Sequence, residues 1–140
     1  MASNNRTRAF GYTLYVRTFA LITGCAVALG AFGAHAMKSL RSEQQLETWK
    51  TATLYLLIHG VAGLALSLYA CARDQQSEHN GAALPVPRAA LKLLLTGAVI
   101  FAGSLYLLVL LQLPLLGAIT PLGGVAMIAG WLTLTFRFRI

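Results

Sequence analysis

Acid is the scarcest component of this chain. Of 140 residues only 4 are Asp or Glu, against 11 Lys or Arg and 3 His, and all charged residues together make 11%. A water-soluble domain carries roughly 25%. That is too little charge to clothe a soluble surface, while 57% of the residues are apolar and the mean hydropathy is +0.67. The bilayer is therefore the expected solvent. The shortage of acid also excludes chemistry. No Asp or Glu falls inside an apolar run, which disfavours proton antiport and rotary proton transfer, since these rely on an intramembrane carboxylate. Cysteine is scarce too. Cys25 should lie mid-span and Cys71 near the end of another span, so they are read as unpaired thiols acting as small apolar side chains. There is no Cys pair at metal spacing, no nucleotide-binding loop and no arguable Ser/His/Asp set, so no metal, cofactor or enzymatic activity is expected. The net charge of +7 could suggest nucleic acid. The basic residues stand at the ends of apolar runs, however, rather than in a patch with interleaved aromatics. They read as topogenic charge, and the expected partner is lipid, not nucleic acid.

What the chain does have is long apolar runs. The one that organises it is Thr18–Ala36, TFALITGCAVALGAFGAHA, without a formal charge and long enough for a helix to cross a bilayer. Ala20, Gly24, Ala28, Ala31 and His35 fall on one stripe of a helical wheel, with Thr23, Ala26, Gly30, Gly33 and Ala34 beside it. Leu21, Ile22, Leu29 and Phe32 cluster opposite. Helices in lipid associate where small side chains let backbones approach. This run is therefore expected to be the central helix of a bundle, with only the Leu21 wedge on lipid.

Residues 1–17 hold Arg6, Arg8 and Arg17, with Phe10, Tyr12 and Tyr15, and suit a membrane-surface segment. A basic start followed by Ala34-His35-Ala36 also has the look of a signal peptide. The apolar run exceeds the ~7–15 residues of a signal core, so a retained span is expected. After it, Ser42 and Gln45 have capping-box spacing, a helix should begin near Glu43, and Trp49 should sit at the interface. In the second span, about 51–72, Tyr55, His59, Gly63 and Ser67 share one face, which should point into the bundle because lipid cannot satisfy it. Residues 73–87 hold Asp74, Glu78, His79, Asn80-Gly81, Pro85 and Pro87 and read as a polar loop.

Leu93–Phe136 carries no charge. As one helix it would be ~66 Å long at 1.5 Å per residue, about twice the bilayer core, so it must fold back. Pro114 and Gly117 break it, and Thr120-Pro121 restarts it as N-cap and first helical residue. Spans three and four are placed at about 90–113 and 121–136, the last with a small-residue seam of Gly123, Ala126, Gly130 and Thr133. Thr23, Gly24, Gly30 and Thr96, Gly97, Gly103 repeat one pattern, a weak hint of duplicated hairpins. The fold class is all-α, a four-transmembrane-helix bundle of up-down topology occupying 18–136. Arg6, Arg8, Arg17, Arg73, Arg88, Lys92, Arg137 and Arg139 then share one side, with Lys38, Arg41 and Lys50 on the other. That bias puts both termini on the cytoplasmic or matrix side of a bacterial or mitochondrial inner membrane.

With these residues assembled, the chain resembles the domain of unknown function 423 family, which includes bacterial YgdD-like proteins and the eukaryotic transmembrane protein 256 group. The matching pieces are Gly30 to Ala36 (GAFGAHA), then Trp49, Thr51, Ala52, Tyr55 and His59. Gly103-Ser104-Leu105-Tyr106 follows, and then Ile119-Thr120-Pro121-Leu122-Gly123-Gly124 with Gly130-Trp131. They occur in order across all four spans, roughly Thr18 to Thr135. The resemblance implies a four-span inner-membrane protein and no stated activity.

The candidate polar sites are the histidines. His35 should lie near the end of span one. His59 should lie roughly 12 Å deeper than Lys50 at ~1.5 Å per residue, against Gly30. A neutral His59 bonded to a carbonyl or hydroxyl of a neighbouring helix is the plain reading, and a proton or ligand contact the sharper one. Haem ligation by both is disfavoured because their depths differ by about two turns. Thr120-Pro121-Leu122-Gly123-Gly124 could pass for a ligand loop at a helix N-terminus, but helix start plus close packing explains it. The expected function is a non-enzymatic scaffold or accessory subunit, associating with other membrane subunits or with itself. The alternative is a small-solute carrier or channel, acting as an oligomer and lined by Tyr55, His59 and Ser104.

Overall fold

Ser42 opens the longest helix. Its Oγ accepts from the Gln45 N–H at 3.3 Å, and its own N–H donates to Gln45 Oε1 at 3.2 Å, the reciprocal capping box that the spacing anticipates. The computed structural model describes residues 2–37, 42–80 and 86–137, with side chains at 11–35, 42–74 and 86–137. It contains α1 (Ala2–Phe32), α2 (Glu43–Asn80), α3 (Arg88–Leu111) and α4 (Thr120–Arg137). A π turn, Gly33–Met37, closes α1, and a 3-10 turn, Pro114–Ala118, precedes α4. All four helices are long and apolar enough to cross a membrane: Gly11–His35, Glu43–Asp74, Arg88–Leu111 and Pro114–Arg137. No strand occurs among the described residues.

Two boundaries differ from the sequence reading. Residues 2–17 are not set apart from the first span: they continue into it as one helix, and Tyr12 is buried. Residues 73–80 are helix, not loop. No Gly or Pro stands between Ala72 and Gly81, so nothing stops α2 where it leaves the apolar zone. Residues 81–85 of the expected loop lie outside the described residues.

The break between α3 and α4 follows the sequence closely. Gln112 takes the left-handed conformation (φ 55°), and its N–H bonds the Leu108 carbonyl at 2.9 Å, closing α3. Leu113 is extended, as a residue before proline must be, and Pro114 starts the 3-10 turn.

α1 and α2 meet in opposite chain order. Gly33 lies on the Trp49 indole, Gly30 on Thr53, Gly60 on Thr23 and Gly63 on the Phe19 ring. α3 and α4 do likewise. A Cβ added to Gly97 would stand 2.8 Å from the Gly123 carbonyl oxygen, and one on Gly130 would stand 2.9 Å from the Leu94 side chain. Here the glycines are required: in lipid, helix pairing depends on this van der Waals approach rather than on expulsion of water. α2 and α3 form the middle pair, joined by Trp49 on Tyr106 (ring centroids 4.5 Å apart) and Tyr55 on Phe101 (4.6 Å).

α1 is therefore not the central helix. From Phe19 onward it packs on α2, through Phe19, Ile22, Thr23, Ala26, Leu29, Gly30 and Gly33. Ala20, Gly24, Ala28, Ala31 and His35 are all exposed. The small-residue stripe points away from the bundle, while Ile22 and Leu29, expected on lipid, pack against the core. The reason is bulk. Phe19 and Trp49 fill the α1–α2 seam by seating on Gly63 and Gly33, so that seam uses glycine as a socket for a large ring rather than two facing small stripes.

Candidate functional site

Several polar side chains inside the bundle tie one segment to another, through a second side chain or through a backbone carbonyl. Thr53 on α2 gives its hydroxyl proton to the Trp49 carbonyl (2.9 Å), so Tyr106 on α3 donates to Thr53 Oγ1 (2.9 Å). Ser104 on α3 donates to the Phe101 carbonyl (2.9 Å), and its oxygen accepts from Thr120 at the start of α4 (2.8 Å). Tyr12 on α1 donates to the Val86 carbonyl (2.9 Å), while the Arg88 guanidinium stands over its ring, 4.9 Å from the centroid. Trp49 donates from its indole to the Leu29 carbonyl of α1 (2.8 Å).

His59 completes the set. Only 7% of it is exposed. A carbonyl can only accept, so the 2.8 Å contact from Nδ1 to the Tyr55 carbonyl places the proton on Nδ1. Nε2 then keeps its lone pair and accepts the Trp131 indole N–H of α4 at 3.2 Å. Both contacts ask for the same neutral tautomer. The carbonyl belongs to its own helix, and the neighbouring helix supplies an indole rather than the carbonyl or hydroxyl of the plain reading. Gly30 is not its neighbour, because Thr53 occupies that place. The Trp49–Gly33 contact sets the α1–α2 register, so His59 falls near the level of Thr23, next to Gly60.

The other sequence candidates divide. Gly33, Trp49, Tyr106, Ser104, Gly123 and Gly130 are buried in helix contacts. Tyr55 shares its face with His59, Gly63 and Ser67, yet it is 40% exposed while the other three are buried. Trp131 is also 40% exposed. Gly24 and Gly103 have no atom within 4 Å of an added Cβ, and Gly124 has only ordinary contact with Phe101. Gly24 thus differs from Gly97, its counterpart in the suggested repeat. Pro121 is exposed at the start of α4. Thr120 does not cap that helix. Its hydroxyl proton goes back to Ser104, pinning α4 to α3, and the Leu116 carbonyl stands 3.5 Å from the same oxygen. His35 is exposed in the turn after α1.

Several residues escaped the sequence reading. Thr53, Phe19 and Gly60 all carry contacts, and the Gly60–Gly63 spacing on α2 was the available signal for two of those seats. Among the described residues every buried side-chain N or O has a partner, and no three His, Cys, Asp or Glu come together. The interior is filled by side chains such as Trp49, Tyr12, Phe19, Leu91 and Leu94. These side-chain bonds clamp neighbouring segments of the bundle together. One open groove of about 640 Å3 lies where α1 ends and α2 begins, between Gly30, Gly33 and Ala34 on one wall and Lys50, Leu54 and Leu57 on the other.

The sequence has clear relatives. It is 38% identical over 128 residues to the UPF0382 membrane protein SAB0533 of Staphylococcus aureus, covering 89% of this chain and 97% of that protein. The UPF0382 membrane protein SH2409 of Staphylococcus haemolyticus is 37% identical over the same shares. The UPF0382 membrane protein YwdK of Bacillus subtilis is 40% identical over 107 residues, covering 76% of this chain and 80% of that protein. No solved structure matches. A family model described as a protein of unknown function (DUF423) matches residues 29–124, the stretch holding the Trp49 seat, His59 and the Ser104–Thr120 bridge. With four apolar spans, a filled interior and these relatives, the chain is a multi-pass membrane protein belonging to the DUF423 family.

Proposed function

We propose that this protein is a non-enzymatic scaffold or accessory subunit, docking another membrane helix on the outward face of α1. The observation that carries the reading is the stripe Ala20, Gly24, Ala28 and Ala31. It is exposed, spaced for close helix approach, and turned opposite to the residues that hold α2. The four spans cross alternately, with both termini on the cytoplasmic or matrix side, as the eight-to-three bias of basic residues supports. The carrier or channel reading has less behind it. Tyr55 is 40% exposed with its ring packed on Phe101, His59 is committed to Trp131, and Ser104 is committed to Thr120, which leaves the three without a shared open path behind them.

The test is size under gentle extraction. The chain has a mass of 15.0 kDa. Native-membrane protein in a mild detergent is expected to run as a larger assembly that Gly24→Leu dissociates. A wild-type particle holding a single chain and nothing else would end this reading.

A further inference from the structure

The groove between the end of α1 and the start of α2 holds about 640 Å3, inside the ~300–1,000 Å3 range of small-molecule sites. Its lining changes character along α2. Glu47 and Lys50 stand at one end, exposed and paired at 2.6 Å. Leu54 lies one turn further, and Leu57 about 10 Å beyond Lys50 at ~1.5 Å per residue. The facing wall is Gly30, Gly33 and Ala34, which offers no polar side chain. Thr51 and Thr53 also line it, with their hydroxyls given to the Glu47 and Trp49 carbonyls of their own helix, so the slot is charged where the helix begins and mostly apolar where it enters hydrocarbon. Apolar space is not favourable for water, and the solvent beside this slot is lipid.

The ion pair narrows the choice of headgroup. It is neutral overall, one cation and one anion within a single turn. An ammonium has three donors, and Glu47 is the sole partner of Lys50 among the described residues. A headgroup bearing both a phosphate and a primary ammonium meets both charges: phosphate on Lys50, ammonium on Glu47. A headgroup with phosphate alone leaves Glu47 facing an anion. We propose that this groove is a phospholipid site of the phosphoethanolamine class, with one acyl chain between Gly30 and Ala34 on one side and Leu54 and Leu57 on the other.

The experiment is native mass spectrometry of the full chain in detergent, with equimolar phosphatidylethanolamine and phosphatidylglycerol added. The wild type is expected to retain one phosphatidylethanolamine in preference. Replacing the ion pair by Glu47→Gln with Lys50→Gln should cut that preference roughly fivefold, the scale of an exposed charge contact. Ala34→Phe should abolish retention by filling the slot. Ala34 is exposed, so the core is untouched, and an unchanged melting temperature checks the fold. Leu54→Trp, at a second exposed lining position, replaces it if Ala34→Phe does not fold. Equal retention of both lipids by the wild type, preference for phosphatidylglycerol, or retention unaffected by the filling variant would each overturn the assignment.

Discussion

The indole N–H of Trp131 points at Nε2 of His59, 3.2 Å away, and ties α4 to α2. Because Nδ1 is already committed to the Tyr55 carbonyl, this is the one arrangement in which both ring nitrogens of a neutral histidine are used. A double-mutant cycle of His59→Ala and Trp131→Phe should give a coupling of about 0.6 kcal/mol and no more than ~1.7 kcal/mol, the range of membrane hydrogen bonds. Reversible unfolding in mixed micelles measures it. A coupling indistinguishable from zero would remove the tie.

Glycines separate into two classes with opposite mutational outcomes. Gly97→Ala drives a methyl to 2.8 Å from the Gly123 carbonyl oxygen, where backbone cannot yield cheaply. It should cost about 1–3 kcal/mol, as overpacking does. Gly103→Ala meets nothing within 4 Å and should stay within about 0.5 kcal/mol. The same unfolding assay checks both, and equal effects would contradict the α3–α4 packing described.

Among the described residues Trp49 is the largest fully buried side chain, 2% exposed and seated on Gly33. Trp49→Ala should destabilise by about 3–5 kcal/mol through the cavity it leaves. Trp49→Phe keeps most of the contact and loses the bond to the Leu29 carbonyl, at about 1 kcal/mol. If the two substitutions cost the same, the indole is not the wedge between α1 and α2.

Orientation can be read by labelling. In a background of Cys25→Ala and Cys71→Ala, Glu43→Cys should react with an impermeant maleimide in intact cells. Asp74→Cys should react only after the membrane is opened. The reverse pattern would invert the sidedness inferred from basic residues.

Much of the fold was legible in the residues, because the signals were chemical. Uncharged runs located the spans, Ser42 and Gln45 marked a helix start, and Pro114 marked the turn. The direction in which α1 faces was not legible. Small residues permit close packing on any neighbour, and in lipid there is no hydrophobic gradient to say which face is inside. The stripe through Gly24 and the seats at Gly30 and Gly33 have the same composition, yet one is exposed and the other holds Thr53 and Trp49. For His59 the sequence supplied a depth but not the register, which is set by Trp49 settling on Gly33. Its partner therefore came from α4, more than 70 residues away, and no local pattern could point there.

The outward stripe of α1 is tested most directly by photocrosslinking in native membranes. A photoreactive residue at Ala28, on the stripe, should give a discrete protein adduct, while the same residue at Leu21, on the exposed flank, should label lipid. Lipid labelling alone at both positions would contradict a docking role for this helix.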